Sequence, residues 1–506
     1  MNNSEGQTTS MLGRLIRGAA LMGLVKIFTT AISFASTIIL ARLLIPEDFG
    51  LVAIAMTLIM LITSFSELSL SNAIVQLKRV ESGHYDTAFT LGLIRSVVIV
   101  IILIGLAGPV ARLYGDPRLE NILYALTTAA LVTGFSNPKT IDFIRRLDFR
   151  ANFALEFAEK MSSFLVAITF AFLLKSYWAL IISFIAASTV RVLISYFIIP
   201  YLPRFSLSKS KDLLAFSVWV TLGGWVQTLS WRSDPLTLGY FITASALGQY
   251  SMAGKVTDMA TTQITSPVAQ ILFPAFSRIQ SDKERLRKAY IKALAILAAL
   301  CFPLAAGLAV LAEPIVSLVL GNQWLPVIPL IQMLAIVTII ISMQHVHPIA
   351  MATGNTRALL GRDIRAFIIR MPLFFGGMYL GHKYGIGIIA GAIIGRGITA
   401  FINTIWNMQL IDKIAGISIR DHMGVLWRPI ISAMAMALTV KFATAASFFD
   451  GLSPFIALGT WVCIGAATYL GVLVSSWIIL GKPDGAETTA FELFRQAQVK
   501  LLKGNA

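Results

Sequence analysis

The chain has 506 residues, 57% of them hydrophobic and 13% charged, with a mean hydropathy of +0.78; a soluble domain carries roughly 25% charged residues. That shortage of charge excludes an ordinary soluble enzyme, and at roughly 20 apolar residues per crossing plus about a dozen for each connection the length holds on the order of 14 to 15 membrane-spanning helices. The formal charge of +16, from 41 Lys and Arg against 25 Asp and Glu, would suggest nucleic acid in a soluble protein, but its distribution along the chain assigns it to membrane orientation and leaves no nucleic-acid partner.

Apolar runs bounded by charge or turn residues mark fourteen predicted helices of an all-α polytopic membrane protein. Six span residues 18–40, 50–72, 88–110, 122–138, 153–174 and 177–199. Six more span residues 213–242, 247–277, 290–311, 326–351, 358–381 and 385–410, and two follow at 423–446 and 454–480. The seventh and eighth are unusually long, which implies tilt, kinks at Pro235 and Pro267, or extension into the cytoplasm. Positively charged loops resist translocation. With a cytoplasmic N-terminus, the inner segments collect Arg14, Arg17, Lys78, Arg79, Arg145 and Arg146 among many others, and the outer ones hold only Arg42, Arg112, Arg118, Lys175, Lys383 and Lys441. An even helix count places both termini in the cytoplasm. The first run is too long for a signal-peptide core, so it is expected to be retained. In the tail, Phe491, Phe494, Ala497 and Leu501 share one helical face, giving either an amphipathic segment on the inner membrane surface or a solvated end. Cys301 and Cys463 lie far apart in apolar runs and support neither a disulfide framework nor a thiolate metal site.

The halves of the chain repeat. Leu44-x5-Gly50-x4-Ala55 matches Ile242-x5-Gly248-x4-Ala253 at an offset of 198, and Gly108-Pro109-Val110 before Gly115 matches Glu313-Pro314-Ile315 before Gly321 at 205. Asn137-Pro138 matches His347-Pro348 at 210, and Val190-Arg191-Val192-Leu193 matches Gly395-Arg396-Gly397-Ile398 at 205. Shared order and a drifting offset predict two six-helix lobes, residues 1–205 and 206–413, around a central cavity, followed by two helices in 414–482 and a tail, 483–506. Six is even, so both lobes enter the membrane in the same sense and are related by an axis along its normal.

Several segments resemble the polysaccharide transporter branch, with its Wzx-type flippases, of the multidrug/oligosaccharidyl-lipid/polysaccharide exporter superfamily. Leu40-Ala41-Arg42-Leu43-Leu44-Ile45-Pro46-Glu47-Asp48-Phe49-Gly50 is very close to that family's connection between its first two helices. Phe65 to Gln76 is similar to the end of its second helix, with Glu67-Leu68-Ser69-Leu70 where the family more often has Asp-Leu-Gly-Leu. Gly248-Gln249-Tyr250-Ser251-Met252-Ala253 and Leu272-Phe273-Pro274-Ala275-Phe276-Ser277-Arg278 resemble its eighth helix, and Asp234 with Gly239 its seventh. The resemblance implies translocation of an undecaprenyl-diphosphate-linked oligosaccharide between leaflets of the bacterial inner membrane by alternating access, for exopolysaccharide or lipopolysaccharide O-antigen synthesis. It also implies membrane lipids, a polysaccharide polymerase and export machinery as partners.

An ionisable side chain near the bilayer centre costs roughly 2.5–3.5 kcal/mol on insertion scales, so it should face a partner or a watery cavity. Arg95 and Lys292 lie near helix ends and are expected to snorkel. Arg191 and Arg396 occupy matching repeat positions, and their planar guanidinium forks suit a diphosphate; the competing reading is local pairing within each lobe. Arg370 and Lys26 are further candidates for the anionic headgroup. Counted from the turn near Ala244, Arg232, Asp234, Lys255 and Asp258 lie at one depth, about 15–21 Å away at 1.5 Å per residue. They form either two static salt bridges or partners that substrate or a coupling cation displaces during the cycle. Trp225, Trp231 and Tyr250 are the aromatics available to a sugar, or else they pack.

No cofactor is expected beyond a proton or sodium gradient. The phosphate-loop pattern Gly-x4-Gly-Lys-Ser/Thr is absent, and His345 and His347 fall on different helix faces with no nearby carboxylate, so no metal site is expected. An ion-coupled small-molecule antiporter and an integral-membrane polysaccharide polymerase are the alternative functions, the second disfavoured by short outer connections.

Overall fold

The structure, a computed structural model, describes residues 28–66, 74, 77, 79–145, 149–210, 218–344, 346–446, 451–482, 485–488, 491 and 495. Regular structure among these residues is entirely helical. Leaving aside short turns such as Ile141–Arg145, the first eight helices are α1 (Phe28–Leu43), α2 (Pro46–Phe65), α3 (Ser82–Tyr114), α4 (Arg118–Gly134), α5 (Phe149–Leu174), α6 (Trp178–Ile198), α7 (Val218–Arg232) and α8 (Asp234–Phe241). Then come α9 (Ala244–Ile279), α10 (Lys283–Val310), α11 (Ile328–Ile341), α12 (Val346–Ala352), α13 (Thr356–Lys383), α14 (Ile388–Ala415), α15 (Ile419–Ala445) and α16 (Pro454–Ile479). Among the described residues, ten helical stretches are long and apolar enough to cross a membrane, so the chain is a multi-pass membrane protein, and the expected count of fourteen is not reached by these alone.

Local chemistry accounts for the helix ends. Pro46 opens α2, where its missing N–H costs nothing. The Asp48 carboxylate accepts hydrogen bonds from the backbone N–H of Ile45 at 3.2 Å and of Tyr177 at 2.9 Å, which ties the start of α2 to the α5–α6 turn. Gly115 ends α3 at φ 67°, a conformation a side chain would strain. At the far end of α2, Arg95 of α3 donates to the Thr63 carbonyl at 2.8 Å and the Ser66 hydroxyl at 3.1 Å, placing a cation where the helix dipole is negative. The expected seventh helix is interrupted at Ser233, just ahead of Pro235, as a proline that cannot donate and clashes with the preceding turn requires. The eighth, by contrast, is a continuous 36-residue helix through position 267, with no break at the second expected kink.

Packing divides the chain into two compact units, residues 1–251 and 252–506. In the first, α5 packs on α6, α3 on α4, and α2 against α4, α7 and α8. In the second, α13 and α14 form a hairpin whose backbones touch: a Cβ on Gly377 would stand 2.2 Å from the Gly391 carbonyl oxygen, and one on Gly395 2.2 Å from that of Leu373. The two helices at the end of the chain do not stand apart. Leu426, Met436 and Val440 of α15 and Tyr469 and Leu473 of α16 share one core with Tyr290, Leu294 and Phe302 of α10, and the Tyr469 hydroxyl donates to the Ala299 carbonyl at 2.9 Å.

Candidate functional site

The internal repeat reappears as matched local devices. In the first unit the chain breaks after α4, and Asn137, almost fully buried, donates from Nδ2 to the Ser195 and Ile199 carbonyls of α6 at 3.3 and 2.8 Å. In the second it breaks after α11, and Gln344 donates from Nε2 to the Ala400 carbonyl of α14 at 2.9 Å and the Thr404 hydroxyl at 3.1 Å. Ser195 and Ala400, like Ile199 and Thr404, are 205 positions apart, the offset that relates Arg191 to Arg396. Each break leaves backbone groups without their helical partners inside an apolar region, and an amide side chain adds a hydrogen bond to the neighbouring helix there.

A second device joins the repeats directly, within the first unit. A Cβ on Gly50 would stand 1.8 Å from the Ala244 carbonyl oxygen, and a Cβ on Gly248 would stand 1.7 Å from that of Pro46. Pro46 and Ala244, like Gly50 and Gly248, differ by 198. The crossing of α2 with α9 is therefore reciprocal: each helix presents a glycine one turn from its start to the first-turn carbonyl of the other, at a separation no side chain permits. Around it, Arg118 bridges Glu47 and Asp116, the latter at 2.7 Å, and the Tyr114 hydroxyl donates to the Leu236 carbonyl at 2.8 Å. The Arg118 guanidinium holds the Asp116 carboxyl below its ordinary range. Farther along α2, Ser64 Oγ donates to Thr228 Oγ1 of α7 at 2.9 Å, and the Phe65 and Trp225 rings meet edge to face with centroids 5.4 Å apart.

The charged candidates are distributed as follows. Arg191 of α6 pairs with Glu159 of α5 at 2.5 Å and is half exposed, the local pairing that was the competing expectation. Arg396 is half-buried on α14, and Arg370 is buried on α13. Asp234 is buried at the start of α8 and accepts from the Tyr250 hydroxyl at 3.2 Å, which gives Tyr250, itself buried, a packing role. Arg232, Lys255 and Asp258 are exposed, the first in the first unit and the other two in the second. Lys292 is exposed, as snorkelling requires. Lys26, Glu67, His345, the side chains of Trp231 and Pro267, and the tail residues Phe494, Ala497 and Leu501 lie outside the described residues.

Two residues correct the sequence reading. His347 does have a carboxylate beside it: Asp363 of α13, whose Oδ2 is 3.4 Å from Nε2. No group of three or more metal-ligating side chains forms among the described residues. Arg362, which the sequence analysis did not single out, is buried, its Nη1 2.6 Å from Asp363 Oδ1. The signal was present in the spacing. Leu359, Arg362, Ala366, Arg370, Phe374 and Met378 form a single buried stripe along α13, with two arginines two turns apart on it.

Comparison with known proteins agrees with this architecture. Residues 39–329 match the family of polysaccharide biosynthesis proteins. The chain is 25% identical over 442 residues to the lipopolysaccharide biosynthesis protein WzxC of Escherichia coli K12, covering 86% of this chain and 88% of that one. It is 24% identical over 421 residues to the succinoglycan biosynthesis transport protein ExoT of Rhizobium meliloti, covering 82% and 84%. Among solved structures, the lipid II flippase MurJ in an inward closed conformation superposes with a TM-score of 0.73 at 16% identity, over 91% of this chain and 99% of that one.

Proposed function

The chain belongs to the polysaccharide biosynthesis protein family, and from that premise we propose that it is a flippase that carries an undecaprenyl-diphosphate-linked oligosaccharide from the inner to the outer leaflet of a bacterial inner membrane. It is a transporter and not an enzyme. The observation that carries the reading is the near full-length alignment with proteins named for lipopolysaccharide biosynthesis and succinoglycan transport, in a chain whose membrane helices bury arginines.

The physical task is to bring a dianionic diphosphate and its sugars through hydrocarbon. Arginines in the interior make that crossing less costly, because a guanidinium that has already left bulk water offers the phosphate oxygens a planar, charge-assisted fork. Arg191, Arg396, Arg370, Arg232, Lys255 and Lys26 are the proposed contacts for the diphosphate, and Asp234 and Asp258 the groups through which a proton or sodium gradient acts. Both termini face the cytoplasm in this reading, and the product feeds a polysaccharide polymerase and export machinery for exopolysaccharide or O-antigen. The reciprocal Gly50–Gly248 crossing then lies at the outer ends of α2 and α9, where it closes the pathway to the outside and parts when the substrate is released. Deletion of the chain tests the function: loss of surface polysaccharide with lipid-linked repeat units accumulating in the inner leaflet is expected. Accumulation in the outer leaflet would instead indicate a polymerase, and drug sensitivity with normal polysaccharide an antiporter.

A further inference from the structure

The second unit contains a cluster of buried polar groups whose hydrogen-bonding capacity is largely unused. Arg362 has five N–H donors, yet its one hydrogen bond among the described residues is the 2.6 Å contact from Nη1 to Asp363, and its Nε is buried without a partner. Asp363 stands between two cations or potential donors: Oδ1 meets Arg362, and Oδ2 lies 3.4 Å from Nε2 of His347 on α12, a ring nitrogen that makes no hydrogen bond. The register of the α13–α14 hairpin is set by Gly377 against Gly391 and by the Arg365 guanidinium 5.6 Å over the Trp406 ring. That register brings Asn407 to the level of Arg362, on the face of α14 that carries Ala400 and Thr404. Asn407 is 1% exposed, and neither its Nδ2 nor its Oδ1 has a partner among the described residues.

Buried polar groups in folded proteins are paired, and a set of unpaired ones calls for an occupant. At Arg362 the occupant has to accept hydrogen bonds from a guanidinium, and so carries anionic oxygens. Depth narrows the choice. Arg362 is six residues from the start of the 28-residue α13, about 9 Å along a helix of about 42 Å, so it lies in the first quarter of the span and not at the bilayer centre. Arg370 follows on the same buried stripe about 12 Å deeper.

We propose that Arg362 is a receiving site for a phosphoryl anion, and that Asp363 is its resident counter-ion, passed to His347 when the anion takes the guanidinium. The identity of the ligand as a diphosphate headgroup rests on the flippase reading; the anion site itself does not. With no ligand, the Arg362–Asp363 pair keeps a buried cation from standing alone. Arrival of phosphate exchanges one carboxylate for oxygens that can use several donors at once, and His347 keeps Asp363 from becoming the uncompensated charge in its turn. Arg370 then offers the next guanidinium along the same stripe.

The test uses the purified full-length protein in nanodiscs with two probes, inorganic pyrophosphate and farnesyl diphosphate, and measures each dissociation constant by calorimetry. Arg362→Gln should weaken binding of both by at least about tenfold, the scale of one charge-assisted hydrogen bond lost. Asp363→Asn should tighten it by a similar factor, because the competing carboxylate is gone. A purely structural ion pair predicts no such gain, so this variant keeps the proposal falsifiable should Arg362→Gln fail to fold. Tighter binding of farnesyl diphosphate than of pyrophosphate assigns the site to a lipid headgroup, and equal binding assigns it to a soluble phosphate; either supports an anion site. Binding unchanged in Arg362→Gln, or no gain in a folded Asp363→Asn, overturns it. If the Arg362 dependence holds while a deletion strain exports polysaccharide normally, the flippase reading fails and the anion site stands.

Discussion

Gly50→Ala and Gly248→Ala probe the reciprocal crossing of α2 and α9. The added carbon at Gly50 would sit 1.8 Å from the Ala244 carbonyl oxygen and 2.7 Å from its carbon, and the one at Gly248 would sit 1.7 Å from the Pro46 oxygen. Both obstacles are backbone, so no rotamer change relieves them. Reaching even 3.0 Å at Gly50 requires the two helices to part by about 1.2 Å, an overpacking whose usual cost is about 1–3 kcal/mol. Separation also forfeits close Cα–H···O contacts worth about 0.5–1 kcal/mol each. Gly254 lies farther along α9 with nothing within 4 Å of a Cβ, so Gly254→Ala is the matched control. There the gain in helix propensity, up to about 1 kcal/mol, is expected alone. Fluorescence-detected thermal unfolding in detergent should show a lower midpoint for each of the first two variants and an unchanged or higher one for the control. If the crossing closes the outer end, both alanine variants should also label faster with an impermeant thiol reagent at a cysteine placed at Leu51, which is buried. Unchanged midpoints and unchanged labelling in Gly50→Ala and Gly248→Ala would refute the close reciprocal contact.

Three further outcomes can be checked. Glu487 reaches back from beyond α16 to Arg428 of α15, 3.0 Å away with both side chains almost fully buried; Glu487→Gln should cost about 3–5 kcal/mol and speed proteolysis at the C-terminal end. Asn137→Ala and Gln344→Ala each remove an amide that hydrogen-bonds a neighbouring helix beside a break, at about 1–3 kcal/mol apiece, and should raise hydrogen exchange around residues 135–140 and 342–348 respectively. The depressed Asp116 carboxyl contributes stability that is fully present above its ordinary value of 3.8 and is lost as pH falls through its lower folded value. Because Arg118 is partly exposed, the contribution is below about 1 kcal/mol. Thermal midpoints of wild type and Asp116→Asn should therefore differ slightly at pH 6 and converge as pH falls below the ordinary carboxylate range.

Much of this architecture was legible in the sequence because membrane helices announce themselves by length and apolarity. The turn near Ala244 and the repeat equivalence of Gly50 with Gly248 were readable from spacing, and a kink at Pro235 was one of three alternatives that the length of the seventh helix left open. Spacing could not say which glycines touch carbonyls, since Gly254 sits on the same helix as Gly248 and meets nothing. The site was less legible. Arg191 shared a repeat position with Arg396, but repeat symmetry fixes where a Cα lies and not whether a carboxylate such as Glu159 is in reach. Arg362 was hidden by its nearness to a helix end, where long cations ordinarily reach water. Asp363 and His347 are 16 positions apart and meet because the turn at 353–355, between α12 and α13, folds the chain back on itself.

Leaflet transfer itself remains the most direct measurement. Purified protein reconstituted into liposomes with a fluorescent undecaprenyl-diphosphate oligosaccharide in one leaflet should carry the label to the other, as read by loss of protection from an impermeant quencher, faster than protein-free vesicles do. Transfer at the protein-free rate, with the protein folded and oriented in both directions, would contradict a flippase.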